Sequence, residues 1–199
     1  MLEFAVLGLL AESPLHGYEL RKRLNTMLGT FRAFSYGSLY PTLRRMQARG
    51  WVTADAGSGR GGRSKVVYSL TAEGKERFAE LLDEAGPSAW EDETFNVHFS
   101  FFAQTDPEAR LRILEGRRTR LEEKRERFRG AAARTCQRVD RYTLELQRHG
   151  LESVEREVRW LTELIETERA EKSPPTPPPA AGGTATPAPR AAETDKSTP

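Results

Sequence analysis

The chain has 199 residues, 37% of them hydrophobic and 30% charged, with a formal net charge of only +2. That length allows one or two small domains with a real core, and no apolar run reaches the roughly 18–20 residues a membrane span needs. Cys136 is the sole cysteine, which excludes an intrachain disulfide and a cysteine-based zinc site, and His16, His98 and His149 are widely scattered, so no cofactor or metal is expected. The charge is uneven. Residues 1–75 hold 11 lysines and arginines against 5 acidic residues, residues 76–170 hold 17 against 21, and the remainder holds 3 of each. A basic front and an acidic rear suit a head that meets a polyanion on a body with another task.

"MLEFAVLGLLAESP" opens the chain, with Leu2, Val6, Leu9 and Leu10 forming an apolar stripe that Ser13-Pro14 ends. Glu3 stands where a secretory signal would be positive and no A-x-A-like cleavage site follows, so this is read as a structural helix of a cytoplasmic protein. A second helix spans about His16 to Leu28, with Leu20, Leu24, Met27 and Leu28 inward, Arg21, Lys22 and Arg23 largely outward, and Gly29 as breaker. In "SYGSLYPTLRRMQARGWV" Leu39, Leu43 and Met46 mark the buried face of a third helix. Pro41 is tolerable only near a helix start, so the regular helix is expected from Gly37–Ser38, with Gly50 ending it. The face opposite the leucines presents Gly37, Pro41, Arg44, Arg45 and Ala48, with Ser38 and Tyr40 flanking the tip.

"WVTADA" and "SKVVYSLT" then enclose "GSGRGGR", two β-prone runs around a Gly-rich tip that carries Arg60, Arg63 and Lys65. "GSGRGG" matches G-x-G-x-x-G formally, but it joins strands and opens no helix, which rules out dinucleotide binding. Thr71 is placed to cap the helix "TAEGKERFAELLDEAG".

From Trp90 the character changes. Phe95, Phe99 and Phe102 share one face of an aromatic-rich helix, and with Trp90 they are read first as core or interface and second as a candidate site for a flat aromatic effector. After Asp106-Pro107 a long helix is expected to about His149, with Leu114, Leu121, Phe128, Thr135 and Tyr142 at seven-residue steps. Past Gly150, Leu151, Val154, Val158, Leu161 and Ile165 give a last helix an a/d pattern. Two amphipathic helices joined by a glycine make an antiparallel hairpin or one half of a dimer, and dimer contacts are expected on Leu114, Leu121, Phe128, Tyr142, Val158, Leu161 and Ile165. Cys136 is read as a passive thiol. The Pro/Ala/Thr-rich residues 171–199 are expected to be disordered.

The fold expected is mostly α: a winged helix-turn-helix domain over 1–85, followed by a helical, coiled-coil-like dimerisation region over 88–170. In such a domain the third helix enters a DNA major groove. Small residues at its tip permit close approach, Arg44 and Arg45 can offer bidentate donors to guanine or phosphate, and Tyr36, Ser38 and Tyr40 can bond phosphate oxygens. Arg60 or Arg63 of the wing can grip the backbone or the minor groove.

"LGLLAESPLHGYELRKRL", "SYGSLYPTLRRMQARGWV" and "GGRSKVVYSLTAEG" strongly resemble the PadR family of bacterial transcriptional regulators, in order and spacing over residues 2–75. The resemblance implies a winged-helix DNA-binding domain, and a helical C-terminal region that dimerises together with the first helix, which brings in Val6. It implies repressors on palindromic operators, some answering to phenolic acids or hydrophobic drugs. It places Tyr18, Ser38, Tyr40 and Arg44 in or beside the groove, near Lys22, with residues 60–65 flanking. The partners expected are therefore double-stranded DNA, a second copy of the chain and an aromatic or hydrophobic effector, in a bacterial cytoplasm and at the nucleoid when DNA-bound. A winged-helix and coiled-coil adaptor for proteins is the competing class. An enzyme lacks a catalytic constellation.

Overall fold

Apolar side chains fall into two sets along the sequence, and each set closes around its own core. The computed structural model describes residues 1–29, 36–56, 66–134 and 140–172, and the side chains of 36, 56 and 131–134 lie outside that description. Arg60, Arg63, Lys65, Cys136 and the tail from residue 173 also fall outside it.

Helix α1 (Leu2–Glu12) is buried at every position from Phe4 to Leu10. The expected stripe is thus a helix apolar all round, which belongs at the centre of a core. Around it pack α2 (Gly17–Leu28), through Leu20, Leu24 and Leu28, and α3 (Tyr36–Ala48), through Leu39, Leu43 and Met46. Helix α3 starts one or two residues earlier than the proline rule implies. Pro41 is its sixth residue and withholds the N–H that would reach the Gly37 carbonyl, which lies at the exposed tip of the helix. Gly50 ends it at φ +76°. The Gly50 amide bonds Gln47 O and the Trp51 amide bonds Met46 O, the paired closure that a left-handed glycine permits.

Strands β2 (Val52–Ala56) and β3 (Val66–Leu70) form the expected antiparallel hairpin, Val52 opposite Leu70. A third strand, β1 (Leu15–His16), pairs with the other edge of β3, giving the order β1-β3-β2. Two residues after a proline are too few to show alternation, so this strand leaves no pattern in the sequence. Thr71 caps α4 (Ala72–Asp83) by accepting from the Gly74 amide at 3.0 Å. It also donates to Gly50 O at 2.7 Å, which joins the end of α3 to the start of α4.

The second core lies among α5 (Asp92–Ser100), α6 (Pro107–Arg134) and α7 (Arg141–Lys172). Phe95 of α5 and Phe102 just beyond it point into this core, while Val97 and Phe101 point into the first. The ring of Phe101 lies on Gly8, where a Cβ would stand 2.1 Å from it, so the helix can approach only because that residue is glycine. Asp106 caps α6 through the Glu108 amide at 2.8 Å.

The expectation for the long helices needs correcting. Helix α6 is described as far as Arg134 and does not run on to His149, because a new helix begins at Arg141, and Gly150 lies inside that helix, α7, rather than between helices. The start of α7 is set by Asp140, whose carboxylate accepts from the amides of Tyr142 and Thr143 and from the Thr143 hydroxyl, so its pKa falls below the usual value. An N-cap of this kind marks the start of the helix at Asp140, and one interior glycine is tolerated within α7. The two helices run antiparallel, as the ion pairs Lys172–Glu108 and Arg110–Glu168 show.

His98 of α5 is fully buried with its ring 4.8 Å from that of Phe4, and its Nδ1 has no partner. Burial lowers its pKa to about 4. Between that value and the unfolded value near 6.5 the unfolded chain binds the extra proton, so stability falls as pH drops through this window. His98→Leu should remove that loss, which approaches about 3 kcal/mol for a shift of this size. Urea midpoints at pH 7 and pH 4.5 should therefore separate more in the parent protein than in the variant.

Candidate nucleic-acid interface

Helix α3 turns about 100° per residue, so Gly37, Tyr40, Pro41, Arg44 and Ala48 gather on one side, opposite the buried leucines. All of them are exposed. Thr42, on the flank, is buried and donates its hydroxyl to Ser38 O at 2.9 Å. Helix α2 supplies the neighbouring surface. Tyr18 is 68% exposed at its first turn, and Lys22 follows one turn later.

The two adjacent arginines part company. Burial and the neighbouring Tyr40 raise the Tyr68 pKa while the Arg44 charge works against them, so Arg44 is within electrostatic reach of β3. Arg45 points the other way. It donates to Thr42 Oγ1 at 2.9 Å, and its Nε stands 3.6 Å from Glu3 of α1; Arg49 meets the same carboxylate at 3.0 Å. These exposed pairs are worth at most about 1 kcal/mol each, but they set direction. The face expected to present both arginines presents Arg44, while Arg45 turns toward α1.

Tyr40 is 39% exposed, with its ring folded back over α2. A Cβ on Gly17 would stand 2.9 Å from the Tyr40 hydroxyl. Behind it a cleft of about 580 Å³ opens between α2, α3 and β3, lined in part by His16, Tyr18, Lys22, Tyr40 and Tyr68. His16, expected to cap or pack at the start of α2, occupies the N-cap position without a side-chain cap bond, and its Nδ1 sits 3.2 Å from Val66 O. Tyr68 was not singled out in the sequence. The signal is the alternation of β3, which puts residues 66, 68 and 70 on one face, but the partner face comes from β1 and is invisible there. Ser38 lies at the exposed tip; the Tyr36 side chain and Arg60, Arg63 and Lys65 lie outside the described residues.

The residues expected to make the dimer are mostly inside one chain. Leu114, Leu121, Val158, Leu161 and Ile165 are buried against each other and α5, Phe128 packs on the same core, and Val6 is buried in the first. The seven-residue spacing therefore describes the intramolecular hairpin. Tyr142 differs: it is 83% exposed, and Leu146 one turn on is 70% exposed. The aromatic residues are likewise packed together. Phe99 has ring centroids 5.9 Å from Phe95, 4.9 Å from Phe102 and 5.3 Å from Trp160, and Trp90 donates to Ala85 O and covers Gly116. Arg117 is buried beneath them, bonding Asp92, Glu157 and Trp90 O. Burial raises the Asp92 pKa, but the Arg117 hydrogen bond and charge outweigh it and the net shift is downward. A separate cavity of about 460 Å³ lies beside this group, lined by Leu121, Lys124, Arg127 and Phe128 among others and by none of the four aromatic candidates.

Among the described residues no helix is long and apolar enough to cross a membrane, and no group of three or more histidine, cysteine or acidic side chains could hold a metal ion.

Residues 6–80 match the model of the transcriptional regulator PadR-like family. The negative transcriptional regulator PadR of Bacillus subtilis is 29% identical over 82 residues, 41% of this chain and 45% of the relative. The "Probable transcriptional regulator Rv1176c" of Mycobacterium tuberculosis is 32% identical over 83 residues, 42% of this chain and 44% of the relative. The match thus spans under half the length of either curated relative, and both are named as regulators rather than enzymes. Among solved structures, Bacillus subtilis PadR in complex with operator DNA is similar with a TM-score of 0.42 at 21% identity, covering 84% of this chain and 98% of that one. Its complex with p-coumaric acid gives a TM-score of 0.39 over the same shares. Overlaps this loose place no ligand and no DNA contact on the present chain.

The divergence of the two arginines generates a measurable difference. Arg44→Ala should weaken specific DNA binding by about 1–3 kcal/mol and relax preference at one base position, whereas Arg45→Ala should cost well under that. Titration of both variants against a panel of singly mutated duplexes distinguishes them, and equal losses would place both arginines on the DNA.

Proposed function

We propose that this chain, in which residues 6–80 are a PadR-like domain, is a sequence-specific DNA-binding transcriptional regulator, acting as a homodimeric repressor on a palindromic operator. The observation that carries the reading is the exposed face of α2 and α3, where Tyr18, Lys22, Tyr40 and Arg44 stand together on a rigid apolar base. Small residues at the α3 tip let the helix approach base edges. Arg44 supplies a bidentate donor there, and Tyr18, Ser38 and Lys22 serve the backbone on either side. Tyr36, Arg60, Arg63 and Lys65 complete the surface in this reading. Repression follows the sense of the Bacillus subtilis relative's name. Control by an aromatic small molecule is part of the same proposal, with the Phe95–Phe99–Trp160 group as the element such a ligand would perturb.

Two heads on a two-fold axis would meet successive major grooves about 34 Å apart. Tyr142 and Leu146, one turn apart on α7, are the most exposed of its large apolar side chains and so the first available for a self-contact there. Tyr142→Asp with Leu146→Asp should leave the fold intact, shift sedimentation to the monomer and weaken operator binding more than tenfold. Unchanged sedimentation would move the dimer seam elsewhere.

Fluorescence anisotropy on DNA from upstream of the protein's own coding sequence, against scrambled DNA of equal length at several salt concentrations, tests the main claim. Binding at least ~10³-fold tighter to one duplex, at one dimer per palindrome, is expected. Absence of binding to any duplex at low salt would favour the protein-adaptor reading.

A further inference from the structure

We propose that the cleft between the first turn of α2, Tyr40 of α3 and Tyr68 of β3 seats one backbone phosphate of bound DNA, a placement that rests on the DNA-binding reading above. Three tyrosines from three elements converge on it. Tyr18 is exposed at the mouth, Tyr40 is half-buried at the side, and Tyr68 is only 8% exposed. Among the described residues no hydrogen bond reaches the Tyr68 hydroxyl, although its ring is held in the core of the first domain. A buried ring whose hydroxyl opens on a cleft, with no partner among the described residues, can donate to a group outside the fold.

The surrounding chemistry selects the ligand. Helix α2 has no side-chain cap, so its first-turn amides, which no helical carbonyl can reach, remain as donors at the positive end of its dipole. Gly17 brings Tyr40 down onto that turn, since any larger residue would push its hydroxyl away. Lys22 lines the same cleft and adds one positive charge. Glu19 shares the lining as well, which keeps the cleft near neutral and leaves hydroxyls and amides as the principal donors. A phosphodiester, with one charge spread over two oxygens that each accept several bonds, fits that donor set. Arg44 follows Tyr40 by one turn on the same exposed face of α3, so the seated phosphate would flank the base pair that Arg44 reads and hold α3 in register.

Tyr68→Phe removes one oxygen and keeps the packed ring. With the full-length protein and its tightest duplex, the variant should bind about tenfold more weakly, to preferred and scrambled DNA alike. Methylphosphonate, neutral at one backbone position, should be walked along both strands. One position should reproduce that loss in the parent protein and add nothing further in Tyr68→Phe, which also separates a DNA phosphate from a free phosphate ion. Lys22→Met should lower the salt slope by about 1. Parent-like affinity for Tyr68→Phe, or a loss that adds independently to every methylphosphonate, would overturn the proposal while leaving the regulator reading standing. Failure of the parent protein to bind any DNA would overturn both.

Discussion

The contact of Phe101 with Gly8 is the constraint on which the arrangement of the two halves depends. Helix α1 is buried on all sides within the first core, and the segment around α5 sends alternate aromatic side chains into the first and second cores. Only a residue without a side chain lets the Phe101 ring reach that depth. Phe4 and Phe78 close around the same ring with centroids 5.5 Å away in both cases. Each aromatic pair adds about 0.5–1.5 kcal/mol beyond the area it buries. The α1–α4 head and the α6–α7 hairpin are thereby fixed to one another by packing rather than tethered by a linker.

Arg117 does for the second half what the aromatic cluster does for the first. A guanidinium removed from water is tolerable only with its donors engaged. Here they reach the α5 carboxylate Asp92, the carbonyl of Trp90 and Glu157 of α7, while the plane lies 5.2 Å over Phe95. One side chain of α6 thus sets the positions of three neighbouring segments. Such a network offers little net stabilisation over an apolar packing of equal volume, but it rejects shifted registers of the hairpin, because each would strand a buried charge.

The elements of the first domain were legible in the sequence because each buried face has its own period: Leu39, Leu43 and Met46 for α3, the alternation of β3, and Thr71 and Gly50 at the boundaries. What failed to show had identifiable causes. Strand β1 is too short to carry a pattern. The boundary between α6 and α7 was assigned to Gly150 because glycine is the usual breaker, yet the Asp140 side chain supplies a stronger start. The heptad rows are compatible with an antiparallel hairpin or with one half of a dimer, and the dimer contacts are expected on them. Periodicity reports that a face is buried and is silent on whether the covering surface belongs to the same chain, which is why Leu121 and Leu161 proved to be internal. The candidate interface was legible as residue types on a helix face. The turn of Arg45 toward Glu3 was not, since it depends on a residue 42 positions away, and neither was Tyr68.

Glu3 changes what the arginines of α3 are worth as cations. A lysine or arginine that meets phosphate gains affinity largely by releasing the small ions condensed on DNA, one for each charge neutralised. Arg45 and Arg49 already share a fixed carboxylate from α1. A phosphate arriving there must displace that carboxylate, and the displaced group stays on the protein instead of diffusing into the bulk. The released carboxylate would stay beside the phosphate and repel it, so the net electrostatic gain is correspondingly small. In the proposed DNA complex the positive charge counted along the sequence therefore overstates the pull on DNA of arbitrary sequence, and a larger share of the free energy would rest on contacts that depend on which bases lie beneath Arg44.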